Sequence, residues 1–598
     1  MVFERTSHPD TPAPRHASTK ILQHANPPAM KCFSLRVLPL LLLAGVIVFL
    51  SSCDSFLDET GPIGELNEET YYQTEEQVRL AVYDLYTHQL NFYSSNPNGF
   101  DGYWAGVIMP SDNVRYYPQS PNDYDNFNWN ATDGVWGSYW NNSYSAIGDA
   151  NVLINQIPES PINEEAKTPL LAETRFMRAY HNFILARMFG NAPLVRGPVT
   201  TIDSTNIGNE GQNIASLYDF IEQDLRFAKD NLPATRDEQF KGRVTSGTAA
   251  AYLGKVNLFR AQRLGDDSQY GEAISAFEEV INAGNHSLVP RYADNFERST
   301  ENNEESLYEI QNAAGTFGEQ GFNSWLSPNS FIGADKTTRN WYMRAGGGEP
   351  GDGLEAPANK GGADQFHITQ AMQSEFEPHD PRRFETYYVP GEVYSRTLGC
   401  DIPSGDSTRF VKPCIYQEEF TFTGSTPAKY LRPFAEPDPP PAPNSRNNER
   451  ILRYADVLLM LAEAELLGNG NNARAADLVN QVRARARDDF STVCSNSAVG
   501  LGCPDSTESA PDNILPPISA GEIAHADIRH ERNVELALEG KRYEDLVRWH
   551  MADDVNFSIG EDVNFAGSSN SWTEANLLRP IPQEEIDINP NLVQNEGY

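Results

Sequence analysis

Apolar residues recur at the spacing of an α-helix along much of the chain. Between residues 70 and 90, Val78, Val82 and Leu85 mark one face of a segment whose start is acidic, as in an amphipathic helix packed on a core. By the same criterion the sequence predicts further helices over 147–157, 169–189, 214–231, 243–264, 270–283, 451–467 and 473–487. The chain is therefore predicted to be mainly α-helical.

Two pairs of these predicted helices are joined by short turns. Gly265-Asp266-Asp267 separates the first pair, and Gly468-Asn469-Gly470 separates the second. Within the first pair, Leu253-Gly254 and Ala273-x-x-x-Phe277 fit part of the tetratricopeptide pattern. Two imperfect repeats predict a tetratricopeptide-like helical repeat scaffold, in which neighbouring helices stack and one side stays free for binding.

Two long segments lack helical periodicity. Residues 91–145 are rich in Asn, Gly, Asp and aromatic side chains, and residues 285–448 contain many Gly and Pro. We expect 285–448 to be a large loop-rich insertion packed on the scaffold, with short strands near 306–311 and 387–394. Four aromatic residues have the spacing of a buried helix face and are assigned to the core: Trp136, Trp140, Tyr144 and Trp549.

A C-terminal helical part is predicted over residues 449–598. Ser519 and Glu522 have the spacing of a capping box, and apolar positions at helical spacing follow as far as Gly540, with a second piece to His550. Several charged residues occupy offsets suited to ion pairs within this last helix or with its neighbours. We assign them a structural role: Glu531, Arg532, Glu535, Arg542 and Asp545.

The N-terminal 52 residues have the layout of an export signal. Lys31 and Arg36 precede an apolar run over residues 37–50, which is shorter than the roughly 20 residues needed to span a bilayer. The run ends at Leu50-Ser51-Ser52-Cys53, which resembles a bacterial lipobox and implies cleavage before Cys53 and acylation of that cysteine. An ordinary secretion signal with a chance cysteine is the alternative.

The extent of the mature chain follows from this signal. Residues 1–29 are polar and rich in Pro and His, unlike the start of a signal, whereas Met30 begins a normal one. We therefore expect translation to start at Met30. The remainder, 53–598, is expected to form a single domain in which 91–145 and 285–448 are the loop-rich regions on the ligand side.

Composition disfavours some function classes. Hydrophobic residues make up 39% of the chain and aromatic residues 11%, as in a folded globular protein. The 83 acidic and 46 basic residues give a formal net charge of -37, which disfavours nucleic acid and anionic lipid surfaces as partners. A solvated acidic surface is the simplest explanation of this charge.

Four cysteines lie beyond the predicted anchor, and an export compartment permits disulfides. Four cysteines can pair in three ways. The two local pairings each close a short loop that contains turn-forming residues, so we predict bonds between Cys400 and Cys414 and between Cys494 and Cys503. A zinc site is the alternative, but the sequence has no Cys-x-x-Cys pair and no cluster of histidines nearby.

The sequence contains no complete catalytic motif among those sought. His530-Glu531 begins like a zinc-protease helix, but Val534 occupies the position of the second histidine. Neither a Gly-x-Ser-x-Gly elbow nor a phosphate-binding Gly-x-x-x-x-Gly-Lys motif occurs. The oxygen-rich residues 122–133 do not have the spacing of an EF-hand loop, so a solvated loop is expected there. We predict a protein that is not an enzyme and that uses no cofactor or metal.

Sugar binding requires flat aromatic side chains for stacking and polar groups for directional hydrogen bonds. Both loop-rich segments supply these residue types. The candidate ligand-binding residues are Tyr103, Trp104, Asp112, Asn113, Trp129, Asn323, Trp325, Trp341 and Tyr342. For any one of the aromatic residues, packing beneath a long loop is the competing interpretation.

Several motifs resemble the SusD/RagB family of outer-membrane lipoproteins, and they occur in the family's order over nearly all of the mature chain. They are Phe56-Leu57-Asp58, Glu173-Thr174-Arg175-Phe176-Met177-Arg178-Ala179-Tyr180, Phe189-Gly190-Asn191-Ala192-Pro193, Gly242-Arg243-Val244-Thr245, Arg453-Tyr454-Ala455-Asp456, Glu531-Arg532-x-x-Glu535-Leu536 and Leu578-Arg579-Pro580-Ile581-Pro582.

The resemblance implies a helical scaffold with tetratricopeptide-like units and no known catalysis. Members of the family act as lids on TonB-dependent, SusC-like transporters and capture oligosaccharides, or in some branches peptides, for import. We therefore expect a lipid-anchored outer-membrane protein, facing the cell exterior, that delivers a glycan to such a transporter. The alternatives are an envelope scaffold that binds proteins and a polysaccharide-degrading enzyme.

Overall fold

Helices dominate the part of the chain that the computed structural model describes, and the strands described there are short. The structure describes residues 71–92, 104–116, 124, 127, 129–199, 207–209, 213–311, 366–388, 426–427, 429, 448–496, 514–551 and 573–598, which all belong to one compact unit, Glu68–Tyr598. The helices and strands in chain order are α1 (Glu75–Phe92), β1 (Val114–Tyr116), α2 (Gly134–Glu159), α3 (Glu164–Phe189), α4 (Ile214–Asn231), α5 (Ser246–Leu264), α6 (Ser268–Ala283), β2 (Ser306–Ile310), β3 (Phe366–Ile368), α7 (Gln370–Glu375), α8 (Arg382–Thr386), β4 (Tyr387–Tyr388), β5 (Thr426–Pro427), β6 (Glu449–Arg453), α9 (Tyr454–Ala464), α10 (Asn472–Asn496), α11 (His525–Glu535), α12 (Arg542–Met551) and α13 (Gln583–Ile588).

The scaffold is a stack in which each helix packs on the next along the chain. Helices α1 to α6 follow this rule without exception, and α9 packs on both α6 and α10. The second predicted helix pair therefore continues the stack begun by the first, although the insertion separates the two pairs in sequence. This arrangement confirms the mainly α-helical repeat scaffold expected from the sequence.

Local sequence explains where several scaffold helices begin and end. The side chain of Asn163 accepts from the amide of Glu165, which caps α3, and Asn213 caps α4 in the same way. Thr245 accepts from the amide of Thr248 at the start of α5. These side chains satisfy amide groups that have no partner within the helix. The predicted helix over 214–231 is confirmed at both ends.

Within the described residues, three two-stranded antiparallel sheets connect distant parts of the chain. Strand β2 at the start of the insertion pairs with β6 at its end, with Ile310 opposite Glu449. The chain therefore leaves the scaffold and returns to it at one place. Strand β1 pairs with β3, and β4 pairs with β5. The strand predicted near 306–311 is confirmed, and of the strand predicted over 387–394 only β4 lies within the described residues.

Three predictions of local structure are wrong. Helix α2 begins at Gly134, inside the region expected to be loop, because Trp136 and Trp140 continue the buried face that later includes Ile147. Residues 449–453 form a strand because they have a partner in β2, so α9 begins only at Tyr454.

The third wrong prediction concerns the start and extent of the last helix. Ser519 and Glu522 do contact each other through their side chains, at 2.5 Å, but they form a turn. Helix α11 begins instead at His525, where Asp527 accepts from the amide of Ala524 at 2.8 Å. It ends at Glu535 rather than continuing to Gly540.

The core is continuous through the stack and contains the predicted aromatic residues. Trp136, Trp140 and Trp549 are buried, and Tyr144 packs partly buried against them while its hydroxyl donates to the carbonyl of Pro193 at 2.8 Å. The assignment of these four residues to the core is confirmed.

Close packing between α5 and α6 depends on a residue without a side chain. A Cβ atom added at Gly254 would lie 2.5 Å from Cε1 of Phe277. We expect Gly254→Ala to lower the free energy of unfolding by about 1–3 kcal/mol, because a well-packed interface does not absorb an extra methyl group. Urea denaturation of the purified protein measures this change.

Gly271 provides the matched control, since it lies in α6 and a Cβ atom there would meet nothing within 4 Å. Gly271→Ala is expected to raise stability by about 0.5–1 kcal/mol through helix propensity alone. Equal responses of the two variants would contradict the packing explanation for Gly254.

Candidate functional site

The two loop-rich regions meet at one place in the fold. Strand β1 belongs to the first region and pairs with β3 of the insertion, with Val114 opposite Ile368. After β3, the amide of Thr369 donates to the carbonyl of Asn113 at 3.0 Å, and the Thr369 hydroxyl donates to the carbonyl of Asp112 at 2.5 Å. Residues 104–116 and 366–375, called the junction below, are thus held side by side.

A buried ion pair ties the junction to the C-terminal part. The guanidinium of Arg542, at the start of α12, donates from Nε and Nη2 to the two carboxylate oxygens of Asp112, both at 2.7 Å. The Asp112 side chain is 6% exposed. A bidentate pair of this kind fixes orientation as well as distance. Arg579 adds a second link, because its Nη2 donates to the carbonyl of Gly106 at 3.0 Å.

Trp129 lies within an aromatic cluster under the C-terminus. Its indole N–H donates to the hydroxyl of Tyr598 at 2.6 Å, and its ring meets Trp136 edge to face with centroids 5.5 Å apart. The guanidinium carbon of Arg579 lies 4.2 Å from the ring centroid of Trp129. The ring and the polar edge of this indole therefore both have protein partners.

Buried charges attach the insertion to α11. Arg382 in α8 is fully buried and donates to Asp380 at 2.7 Å, to Glu531 at 2.5 Å and to Glu535 at 3.1 Å. Although burial opposes charge on this guanidinium, the surrounding carboxylates raise the pKa of Arg382 well above its ordinary value. Its charge is therefore maintained by its partners.

A second buried cation, Arg453, joins β6 to the same helix. Its guanidinium donates to Glu535 at 2.9 Å and to Glu539 at 2.8 Å, and it also contacts Glu305. Lys429 of the insertion donates to Glu539 at 3.0 Å, and burial lowers the pKa of Lys429 to about 8. The charged residues that the sequence assigned to structure do form such pairs, which confirms that assignment for Glu531 and Glu535.

A tyrosine-lined cleft that the sequence pattern does not predict lies between α1, the turn before α5, and β2. Its volume is about 230 Å³, and Tyr83, Tyr86 and Tyr308 are among its lining residues. The guanidinium of Arg243 lies 4.5 Å from the Tyr83 ring centroid, and its Nε donates to Glu173 at 2.8 Å. Aromatic faces beside charged and amide groups have the chemistry to bind a polar ring.

Two features of the sequence mark this cleft in retrospect. Tyr83 and Tyr86 are three positions apart on α1 and so share a face. The motif Gly242-Arg243-Val244-Thr245 forms the turn opposite, where Gly242 has a φ of 88° and a Cβ atom would lie 2.3 Å from the side chain of Gln311. From the sequence alone this motif indicates only the start of a helix. That it lines a cleft becomes visible only when the position of β2 is known.

Comparison with known proteins shows to which family the chain belongs. A family model described as the SusD family matches residues 290–598 of this chain. A second model, described as starch-binding and associating with the outer membrane, matches residues 66–258. The chain belongs to the SusD family.

Individual relatives match over most of their length. A SusD-like protein from Formosa agariphila is 25% identical over 567 residues, which cover 92% of this chain and 97% of that protein. A SusD-like protein from Bacteroides ovatus is 27% identical over 540 residues, covering 85% of this chain and 82% of that protein.

Solved structures agree with the fold. A laminarin-binding SusD-like protein is 26% identical with a TM-score of 0.62, covering 88% of this chain and 100% of that structure. The surface glycan-binding protein A from Bacteroides thetaiotaomicron has a TM-score of 0.64 at 22% identity, covering 88% and 100%. The helical repeat fold of this SusD-family chain is thereby shown.

The structure places three of the candidate ligand-binding residues in the interior. Asp112 is engaged by Arg542, Trp129 is enclosed by Trp136, Arg579 and Tyr598, and the side chain of Asn113 is buried. In this SusD-family protein these side chains lie in the interior and not on a surface, so their burial gives no support to ligand contact. Asp112 and Trp129 instead hold the junction and the C-terminus in place.

The other candidate ligand-binding residues stay predictions. Tyr103, Asn323, Trp325, Trp341 and Tyr342 lie outside the described residues, and for Trp104 only the backbone is described. The predicted anchor Cys53 and the cysteines Cys400, Cys414 and Cys503 also lie outside them. Cys494 falls in α10, but its side chain is not described.

The described part of this SusD-family chain has no group of three or more His, Cys, Asp or Glu residues arranged to hold a metal ion. Within the same residues, no helix is both long enough and apolar enough to cross a membrane.

Proposed function

We propose that this protein captures a glycan at the cell surface and delivers it to a TonB-dependent, SusC-like transporter in the outer membrane. The observation that carries the proposal is the likeness to the laminarin-binding SusD-like protein, which extends over the whole of that structure. The family model described as starch-binding and associating with the outer membrane supports the same function. It matches residues 66–258. Capture without chemical change fits the absence of a complete catalytic motif.

The membrane location that we propose rests on Cys53. Acylation of this residue would tether the chain, and more than one acyl chain is needed for stable anchoring. The anchor would keep the protein beside the transporter after cleavage of the signal. A peptide ligand, as in some branches of the family, is the second candidate.

The ligand surface that we propose is formed by aromatic and amide residues that open or precede the two junction segments in sequence. Tyr103 and Trp104 stand at the start of one junction segment, and Asn323, Trp325, Trp341 and Tyr342 precede the other. The pairing of β1 with β3 supports this proposal, because it holds residues 114–116, at the end of the first junction segment, beside residues 366–368. Stacking on flat side chains and hydrogen bonds to sugar hydroxyls would provide affinity.

Titration calorimetry with a panel of polysaccharides tests the function directly. The full-length protein in detergent should bind at least one neutral glucan, with laminarin and starch as the first choices, and should release no shorter products from it. Failure of every polysaccharide to bind would contradict glycan capture and would favour a protein-binding scaffold. Release of reducing ends would favour an enzyme.

Two tryptophans test where the glycan binds. We expect Trp104→Ala and Trp325→Ala each to weaken binding of the glycan by roughly tenfold, because each removes a stacking surface worth on the order of 1 kcal/mol. Their melting temperatures should stay within a few degrees of wild type. Calorimetry and thermal unfolding measure the two quantities.

Trp129→Ala is the matched control for this pair, since Trp129 is only 5% exposed. Loss of a buried indole costs about 3–5 kcal/mol, so this variant should unfold at a clearly lower temperature. If Trp104→Ala and Trp325→Ala unfold as early as Trp129→Ala, both residues belong to the core and the proposed ligand surface is wrong.

A further inference from the structure

A cavity of about 90 Å³ lies between the scaffold and the C-terminal part. Helices α3, α4 and α5 form one wall, and α12 with residues 577–579 forms the other. Six cationic side chains line it: Arg187, Lys255, Arg263, Lys541, Arg548 and Arg579. Among the described residues of the lining, Glu544 is the one carboxylate. This concentration of positive charge occurs in a chain whose formal net charge is -37.

The carboxylates near this cavity do not neutralise each cation separately. Glu544 is shared, because it pairs with Arg187 and also accepts from Nζ of Lys255 at 3.3 Å. Nζ of Lys541 donates to a neutral group, the carbonyl of Ile451, at 2.7 Å. Arg548 is held by Glu463, at 2.7 Å, and by Asp545, at 2.8 Å; neither lines the cavity.

This arrangement lowers the pKa values of the two lysines that line the cavity. Burial first, and then the charges of Lys541 and Arg187, lower the pKa of Lys255 well below its ordinary value, although Asp456 and Asp545 act in the opposite direction. Burial likewise lowers the pKa of Lys541. A buried cation beside other cations is unfavourable unless an anion approaches it.

Tyr218 gives a second, independent indication of a ligand. Its side chain is fully buried, it lines the cavity, and its hydroxyl has no hydrogen-bond partner among the described residues. Arg263 and Arg187 lie near enough to influence this hydroxyl electrostatically. A buried hydroxyl without a partner is costly, whereas an oxyanion would accept its hydrogen bond.

We propose that this cavity is a binding site for a small oxyanion, held by Lys255, Arg187 and the hydroxyl of Tyr218. The cavity has room for a group the size of a few water molecules, which suits a sulfate or a carboxylate better than a whole sugar ring. The same chemistry occurs in a free inorganic anion and in the acidic substituent of a saccharide. Binding of inorganic sulfate is independent of the proposed glycan function and can succeed where that function fails.

Calorimetric titration of the full-length protein with sodium sulfate tests the site, with ionic strength held constant by sodium chloride. We expect saturable binding to one site. Tyr218→Phe should weaken sulfate binding by about tenfold, because it removes one hydrogen bond to a charged group. Lys255→Met should weaken it at least as much.

Lys229→Met is the matched control, because it removes the same charge from a lysine that lies outside the cavity and pairs with Glu279 at 2.8 Å. Sulfate binding should be unchanged in this variant. If Lys255→Met does not fold, Tyr218→Phe still tests the proposal, since it removes only a hydroxyl that has no hydrogen-bond partner among the described residues. The proposal would be overturned if Tyr218→Phe bound sulfate with the affinity of the wild type. It would also be overturned if the wild-type protein showed no saturable binding of sulfate.

Sulfated and desulfated forms of one oligosaccharide distinguish the two sources of the anion. Tighter binding of the sulfated form that is lost in Tyr218→Phe assigns the site to a substituent on a saccharide. Equal binding of both forms, together with sulfate binding that depends on Tyr218, assigns it to a free anion. Either result supports an oxyanion site.

Discussion

Arg453→Met is expected to lower the free energy of unfolding by about 3–5 kcal/mol, the usual cost of removing one partner from a buried ion pair. The guanidinium of Arg453 is 1% exposed and contacts the carboxylates of Glu305, Glu535 and Glu539. Methionine is close in length but offers no donor. Three carboxylates would then lose a buried counter-charge at once.

The electrostatic surroundings of the Glu535 carboxyl group explain why the expected loss of unfolding free energy is large. Burial alone would raise the pKa of this carboxyl group, but Arg485, Arg453 and Arg382 together lower it below its ordinary value. Removal of Arg453 leaves the burial in place and reduces the compensation. The expected result is a protein that unfolds at lower urea concentration with an unchanged denaturant slope, because the scaffold still buries the same surface.

Arg226→Met is the control for this prediction. Arg226 pairs with Glu272 at 2.8 Å, but its side chain is 44% exposed and that of Glu272 is 51% exposed. A surface pair of this kind is worth about 0–1 kcal/mol. A loss for Arg453→Met no larger than that for Arg226→Met would show that the buried network does not stabilise the fold.

Local sequence signals predict the helices that depend on local contacts. Helix α4 has an amphipathic pattern and an Asn213 cap, both of them local signals, and its bounds match the prediction. Residues 449–453 contain only two apolar residues, Ile451 and Leu452, and so short an apolar run fits either a helix or a strand. Their strand conformation is decided by β2, which is remote in sequence, and no local pattern records that pairing.

The same limit applies to the candidate site. Residue type identifies Asp112 and Trp129 as suitable for binding a sugar, but it does not tell which way a side chain points. The partner of Asp112 is Arg542, 430 positions later. The partner of Trp129 is Tyr598 near the end of the chain. The charged motif at Glu531 and Glu535 was assigned correctly to structure, although its main partners, Arg382 and Arg453, come from outside the last helix.

Asp112→Asn is expected to loosen the junction while the scaffold remains folded. The substitution keeps the size of the side chain but removes the negative charge that compensates the guanidinium of Arg542, whose side chain is only 12% exposed. We expect a loss of about 3 kcal/mol that is concentrated in residues 104–116 and 366–375, because these are the segments that the pair attaches to α12. Amide hydrogen exchange in the junction should then accelerate by roughly a hundredfold, whereas exchange in α4 should not change.

Asp219→Asn is the matched control, because Asp219 pairs with Arg260 at 2.7 Å on the surface, where its side chain is 62% exposed. In the Asp219→Asn variant, the amides of the junction should exchange at the wild-type rate. Because the proposed ligand residues open or precede the two junction segments in sequence, Asp112→Asn should also weaken glycan binding, and Asp219→Asn should not. Faster exchange without any change in glycan affinity would separate the junction from the ligand surface, and unchanged exchange would show that the ion pair with Arg542 does not hold these segments together.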